Sequence, residues 1–148
     1  MNDYQQICKK LFEMIPKEEW ERLNGTLGEM SYDFLGFCDT YYHLSKIIPE
    51  DWTVIDFGAA NNPQSYFFTR HKKYIAVNPI SDIPEENGMF CPPNCDIYRM
   101  TTGEFIKTVD YPKEKVFAIC NYVPNWHGEN SMEIVRKNFK NCYTFYPD

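Results

Sequence analysis

The stretch Trp52-Thr53-Val54-Ile55-Asp56-Phe57-Gly58-Ala59-Ala60-Asn61-Asn62-Pro63 decides how this chain is read. Its first half is β-branched and aromatic, the composition that packs well on a pleated surface, and it stops at Gly58 as a short buried strand should. Its second half changes character. Asn61 and Asn62 offer a side-chain acceptor for the unpaired N–H groups of a helix, and Pro63 suits the first helical position because its missing N–H would have no partner there. The helix so begun carries Tyr66 and Phe67 towards Arg70. Tyr74-Ile75-Ala76-Val77 then forms a nearly continuous apolar run, the pattern of a central parallel strand covered on both faces.

The alternation continues downstream. Residues 78–100 hold four prolines (Pro79, Pro84, Pro92 and Pro93), so a third strand fits only near Met89–Cys91 or Cys95–Tyr98. Thr101 and Glu104 have the capping-box spacing ahead of Phe105 and Ile106, which predicts a short helix. Lys115–Cys120 reads as the fourth strand, Asn130 with Glu133 as the start of another helix, and Cys142–Phe145 as a closing strand.

Upstream the periodicity is helical. Tyr4, Ile7, Cys8, Leu11, Phe12 and Ile15 make one amphipathic helix between Asp3 and Pro16, and a shorter helix runs on to Asn24-Gly25. A longer one, opened by Thr26 and Glu29, places Met30, Phe34, Phe37, Cys38, Tyr41, Leu44 and Ile48 three or four residues apart until Pro49. These apolar stripes must be buried against something. The expectation is a single α/β domain over residues 1–148, with a helical cap over 1–49 and a core over 50–148 built on a mostly parallel five-stranded sheet.

Composition narrows the function classes. The chain has 148 residues, of which 43% are hydrophobic and 17% aromatic, enough to build a core without staples. A net charge of -6 disfavours tight non-specific binding to nucleic acid. The basic run Arg70-His71-Lys72-Lys73 reads as a helix C-terminus, where cations complement the macrodipole. No membrane-spanning run and no export signal are seen, so a cytoplasmic location with reduced thiols is expected for Cys8, Cys38, Cys91, Cys95, Cys120 and Cys142. Cys91 and Cys95 form the one close pair, and without two further ligands at matched spacing no metal site is expected.

In an open α/β sheet, ligands sit beyond the carboxyl ends of the strands where the strand order reverses. The segment Asp56–Asn62 should occupy that place. Together, Val54-Ile55-Asp56-Phe57-Gly58-Ala59-Ala60-Asn61-Asn62-Pro63, Tyr74-Ile75-Ala76-Val77-Asn78 and Val116-Phe117-Ala118-Ile119-Cys120-Asn121-Tyr122-Val123-Pro124 resemble the class I S-adenosylmethionine-dependent methyltransferases over roughly residues 50 to 146. The resemblance implies a Rossmann-like, methyltransferase-type three-layer sandwich. It also implies a cofactor site at Asp56, Gly58, Ala59, Ala60 and Asn61, with Asn78 at the ribose, Asp96 near the adenine, and Asn121 and Tyr122 beside the methyl group.

Three departures qualify that pattern. Ala60 and Asn62 stand where further glycines are usual, Asn78 replaces the ribose-binding carboxylate, and Asn121-Tyr122-Val123-Pro124 is not the Asn-Pro-Pro-Tyr pattern of enzymes that methylate amino groups of bases. The family sheet usually has two more strands, so a partner, a second copy or the helical cap is expected to complete the acceptor side. The leading expectation is methyl transfer from S-adenosylmethionine to an acceptor that the residues do not specify. The alternative is a catalytically inert binding or partner protein on the same fold. A nicotinamide-binding reading is weaker, because the Gly-x-Gly-x-x-Gly fingerprint is absent. No catalytic base is assigned: His127 beside Gly128 reads as a solvated loop residue, and Tyr122 and Trp126 read equally as loop anchors or as cofactor or acceptor contacts.

Overall fold

Apolar strands that lack polar alternation must be covered on both faces, and the chain meets that requirement with a parallel sheet between two helical layers. The computed structural model describes residues 40–59, 63–79, 92–121, 123–125 and 127–146. Within them lie β1 (Thr53–Phe57), a 3-10 helix (Pro63–Phe68), β2 (Lys73–Val77), β3 (Cys95–Tyr98), α1 (Thr102–Thr108), β4 (Val116–Asn121), α2 (Ser131–Asn138) and β5 (Cys142–Phe145). Residues 40–47 are also helical. The sheet order is β3-β2-β1-β4-β5 and every neighbouring pair is parallel. This is an α/β Rossmann-like fold, as the alternating pattern predicts.

Two apolar clusters define the layers, and the two-residue period of β1 divides its side chains between them. Val54 faces Tyr41, Leu44, Ile48 and Phe68, beneath residues 40–47 and the 3-10 helix. Ile55 and Phe57 face Phe105, Tyr111, Val135 and Phe139, beneath α1 and α2. Phe57 is fully buried, with Phe105 and Phe139 each 5.5 Å away between ring centroids. Burying such a side chain contributes about 1.5–3 kcal/mol.

Both short helices begin as their sequences predict. The Thr101 hydroxyl accepts from the Glu104 N–H, and the Asn130 side chain accepts from the Glu133 N–H. The segment after β1 is a 3-10 helix of six residues, so the predicted helix is present in the tighter i→i+3 form that suits a short connection. The third strand occupies Cys95–Tyr98, the second of the two stretches read for it. Just ahead of it, the Asn94 side-chain amide donates to the carbonyls of Phe68 and His71, both at 2.9 Å. The alternative stretch Met89–Cys91 and the predicted helices before residue 40 lie outside the described residues. No helix among the described residues is long and apolar enough to cross a membrane.

Candidate functional site

β1 lies between β2 and β4, and the chain leaves it towards β2 and β3 on one side before returning to β4 and β5 on the other. The strand order therefore reverses between β1 and β4, and the carboxyl ends of these two strands flank the place where open α/β sheets hold ligands. Gly58 makes the turn with φ of +74°, a backbone that L side chains rarely adopt. Its N–H donates to the Val77 carbonyl at 2.7 Å, and the Ala59 N–H reaches the same oxygen at 3.4 Å. A Cβ on Gly58 would stand 2.3 Å from Val123 Cγ2, so the loop after β4 packs directly on the turn after β1.

Asp56 points away from this edge into the layer beneath the 3-10 helix. It is 1% exposed, and its carboxylate accepts from the Tyr74 hydroxyl at 2.5 Å and from Gln64 Nε2 at 3.0 Å. Gln64 Nε2 also donates to the Ala59 carbonyl at 2.8 Å. One buried amide thus joins the strand-end acid to the turn, and Asp56 positions the turn through it. Burial raises the Asp56 carboxyl from 3.8 to about 6, against the lowering effect of the two hydrogen bonds. Burial and the nearby Asp56 charge push both the Tyr74 and Tyr41 phenols well above 10.0, which keeps them protonated.

Two asparagines stand at the flanking strand ends. Asn78 directly follows β2, is buried, and its N–H donates to the Tyr98 carbonyl at 3.0 Å. Asn121 ends β4, and its Nδ2 donates to the Tyr41 hydroxyl at 3.4 Å, which links the helical layer to the switch point. Asp56, Gly58, Ala59, Asn78 and Asn121 are therefore gathered around the carboxyl ends of β1, β2 and β4.

Asp96 is not brought there. It is the second residue of β3, and its half-exposed carboxylate pairs with Lys73, the first residue of β2, at 3.2 Å. Ala60, Asn61 and Tyr122 lie outside the described residues.

The residues that sequence reasoning missed are Gln64 and Tyr74. Gln64 is 1% exposed in a short helix that also carries Tyr66, Phe67 and Phe68, and a glutamine eight residues after the strand-end aspartate is the signal that could have found it. Tyr74 was read as one apolar strand residue, and its hydroxyl is what holds the acid. His127 is exposed in a left-handed turn with φ of 53°.

A second polar cluster sits beside the site without entering it. The Gly103 N–H, in the first turn of α1, donates to both oxygens of Glu129 at 3.2 and 3.0 Å, and the Thr102 hydroxyl donates to Ser131 Oγ at 2.9 Å. Glu129 thus caps a helix to which it does not belong. Cys95, Cys120 and Cys142 form no disulfide, and burial pushes the Cys120 thiol up to about 12. Among the described residues no group of three or more His, Cys, Asp or Glu side chains is placed to hold a metal ion.

With an internally bonded acid, a left-handed glycine turn and two strand-end amides, the site has the position of a ligand crevice in an open α/β sheet and, among the described residues, an acid turned inward. Searches against models of protein families and against curated proteins find no match for this chain.

Proposed function

We propose that the chain binds S-adenosylmethionine at the β1–β4 switch point and transfers its methyl group to an acceptor. The observation that carries this reading is the left-handed turn at Gly58 at the reversal of the 3-2-1-4-5 order, flanked by the buried amides of Asn78 and Asn121. An amide can both donate to and accept from ribose hydroxyls, so Asn78 fits the sugar although it gives up a charge-assisted bond. Asn121 ends β4 where the reacting groups would meet. The cofactor supplies an electrophilic methyl bound to a sulfonium. The chain's own part is to hold the acceptor in line and exclude water, which requires no side-chain base.

A second reading, a catalytically inert binding or partner protein, is favoured by a specific observation. The Gly58 and Ala59 N–H groups, the Ala59 carbonyl and the Asp56 carboxylate are all engaged within the protein.

Titration calorimetry with S-adenosylmethionine and S-adenosylhomocysteine separates the two. Under the first reading both bind, and Asn78→Ala weakens them about tenfold, the loss of roughly 1.4 kcal/mol of hydrogen bonding. An absence of heat and of thermal shift at millimolar ligand defeats the enzyme reading and leaves the inert one.

A further inference from the structure

The other end of the sheet carries a cavity. Residues 40–47 run into Ile48-Pro49-Glu50 before β1, and the 3-10 helix runs into Thr69-Arg70-His71 before β2, so both helical segments end beside the amino ends of the central strands. Between them lies a cavity of about 620 Å³, within the range of small-ligand sites. Its lining combines three kinds of group: the cations Lys46 and Arg70, the half-buried rings of Tyr42 and Tyr66, and the carboxylate of Glu50.

Two features distinguish this cavity from a gap between helices. Among the described residues, no carboxylate lies within ion-pair distance of Lys46 or Arg70, and the Lys46 ammonium rests 5.5 Å from the Tyr42 ring centroid. His71 also lines the cavity and is 5% exposed. Its Nε2 lies 2.9 Å from the Ile48 carbonyl, which can only accept, so that nitrogen donates. The other ring nitrogen, Nδ1, is buried and carries no hydrogen bond. A buried polar atom without a partner is costly, and a ligand group that hydrogen-bonds to it would remove the cost.

The frame around His71 is fixed. Its carbonyl accepts from Asn94 Nδ2, and the Lys72 N–H donates to the Glu50 carbonyl at 2.8 Å. Cations at helix ends also complement the macrodipole, but that role accounts for neither the aromatic walls nor the buried, unpartnered nitrogen.

We infer that this cavity is a binding site for a nucleoside monophosphate, distinct from the switch-point site. A phosphomonoester carries roughly two negative charges near pH 7, which suits two cations beside one carboxylate better than a polyphosphate would. The base stacks on the tyrosine rings, and Glu50 accepts from the ribose hydroxyls.

The test is calorimetric titration of the full chain with AMP, adenosine and inorganic phosphate, repeated with GMP, CMP and UMP. Support is AMP binding at least about tenfold tighter than adenosine or phosphate alone, and at least about tenfold weaker in each of Lys46→Met and Arg70→Met. Circular dichroism and melting temperature confirm that the variants are folded. No binding of any of the four nucleotides at millimolar concentration overturns the inference, as does binding that survives the double variant. Phosphate binding as tightly as AMP overturns the nucleoside assignment. Displacement of AMP by S-adenosylmethionine also overturns it, because the nucleotide would then occupy the switch point.

Discussion

Replacing Asp56 by asparagine tests the buried network at the switch point. The unfolded carboxyl loses its proton near 3.8, whereas the folded one, desolvated beneath the 3-10 helix, keeps it until about 6. Between these values the folded chain binds more protons than the unfolded chain, so Asp56 makes stability fall as pH rises. The displacement corresponds to about 3 kcal/mol, all of it lost above about pH 6 to 7. Asparagine is nearly isosteric with the protonated acid. Its carbonyl oxygen can accept from Tyr74 and Gln64 as the carboxylate does, and it does not titrate.

Urea unfolding of both proteins from pH 3.5 to 7.5 isolates the effect, because the other carboxylates cancel in the difference. The stability of Asp56→Asn relative to wild type should rise by about 3 kcal/mol across roughly pH 4 to 6.5, or about 6–12 °C in Tm for a chain of this size. A difference that stays flat with pH would refute the reasoning. So would one that moves in favour of the wild type as pH rises, since the two donors would then outweigh desolvation.

The other predictions concern packing and thiol chemistry. Gly58→Ala should destabilise by about 2–4 kcal/mol, from a left-handed backbone and overpacking against Val123, and Val123→Ala should recover part of that in the double variant, measured by urea unfolding. Glu129→Ala should lower stability by about 1–2 kcal/mol by leaving the Gly103 N–H without an acceptor, with amide exchange accelerated first at the start of α1. Cys120, buried and with its thiol pushed up to about 12, should resist an aromatic disulfide reagent at pH 8 until the chain unfolds, as mass mapping would show.

Most of the sheet was legible because its signals are local. The apolar runs around Val54, Ile75 and Ile119 identify central strands by composition, and Thr101 and Asn130 mark helix starts by residue type and spacing. The third strand was ambiguous because Cys95–Tyr98 has one buried, one exposed and two partly exposed residues, and Asn94 just ahead of it bonds to Phe68 and His71, more than twenty residues away. The site was legible in its place but less so in its chemistry. Asp56 at a strand end looks like an exposed acid in one dimension. Its orientation follows from β1's alternation, which puts Val54 and Asp56 on one face and Ile55 and Phe57 on the other. Gln64, Tyr74 and Tyr41 arrive from three different elements, and their convergence is a property of the packed layers. The pairing of Asp96 with Lys73 is equally hidden in one dimension, because Lys73 belongs to the adjacent strand.

Glu129 ties the far end of the β4–α2 connection to the first turn of α1, while Asn121 ties its near end to Tyr41. The segment that lays Val123 over Gly58 is thus a span fastened at both abutments. Anything that reaches the glycine turn must first displace Val123, which leaves no room for even a β-carbon on Gly58. The Glu129 fastening secures that cover without touching any atom at the strand ends.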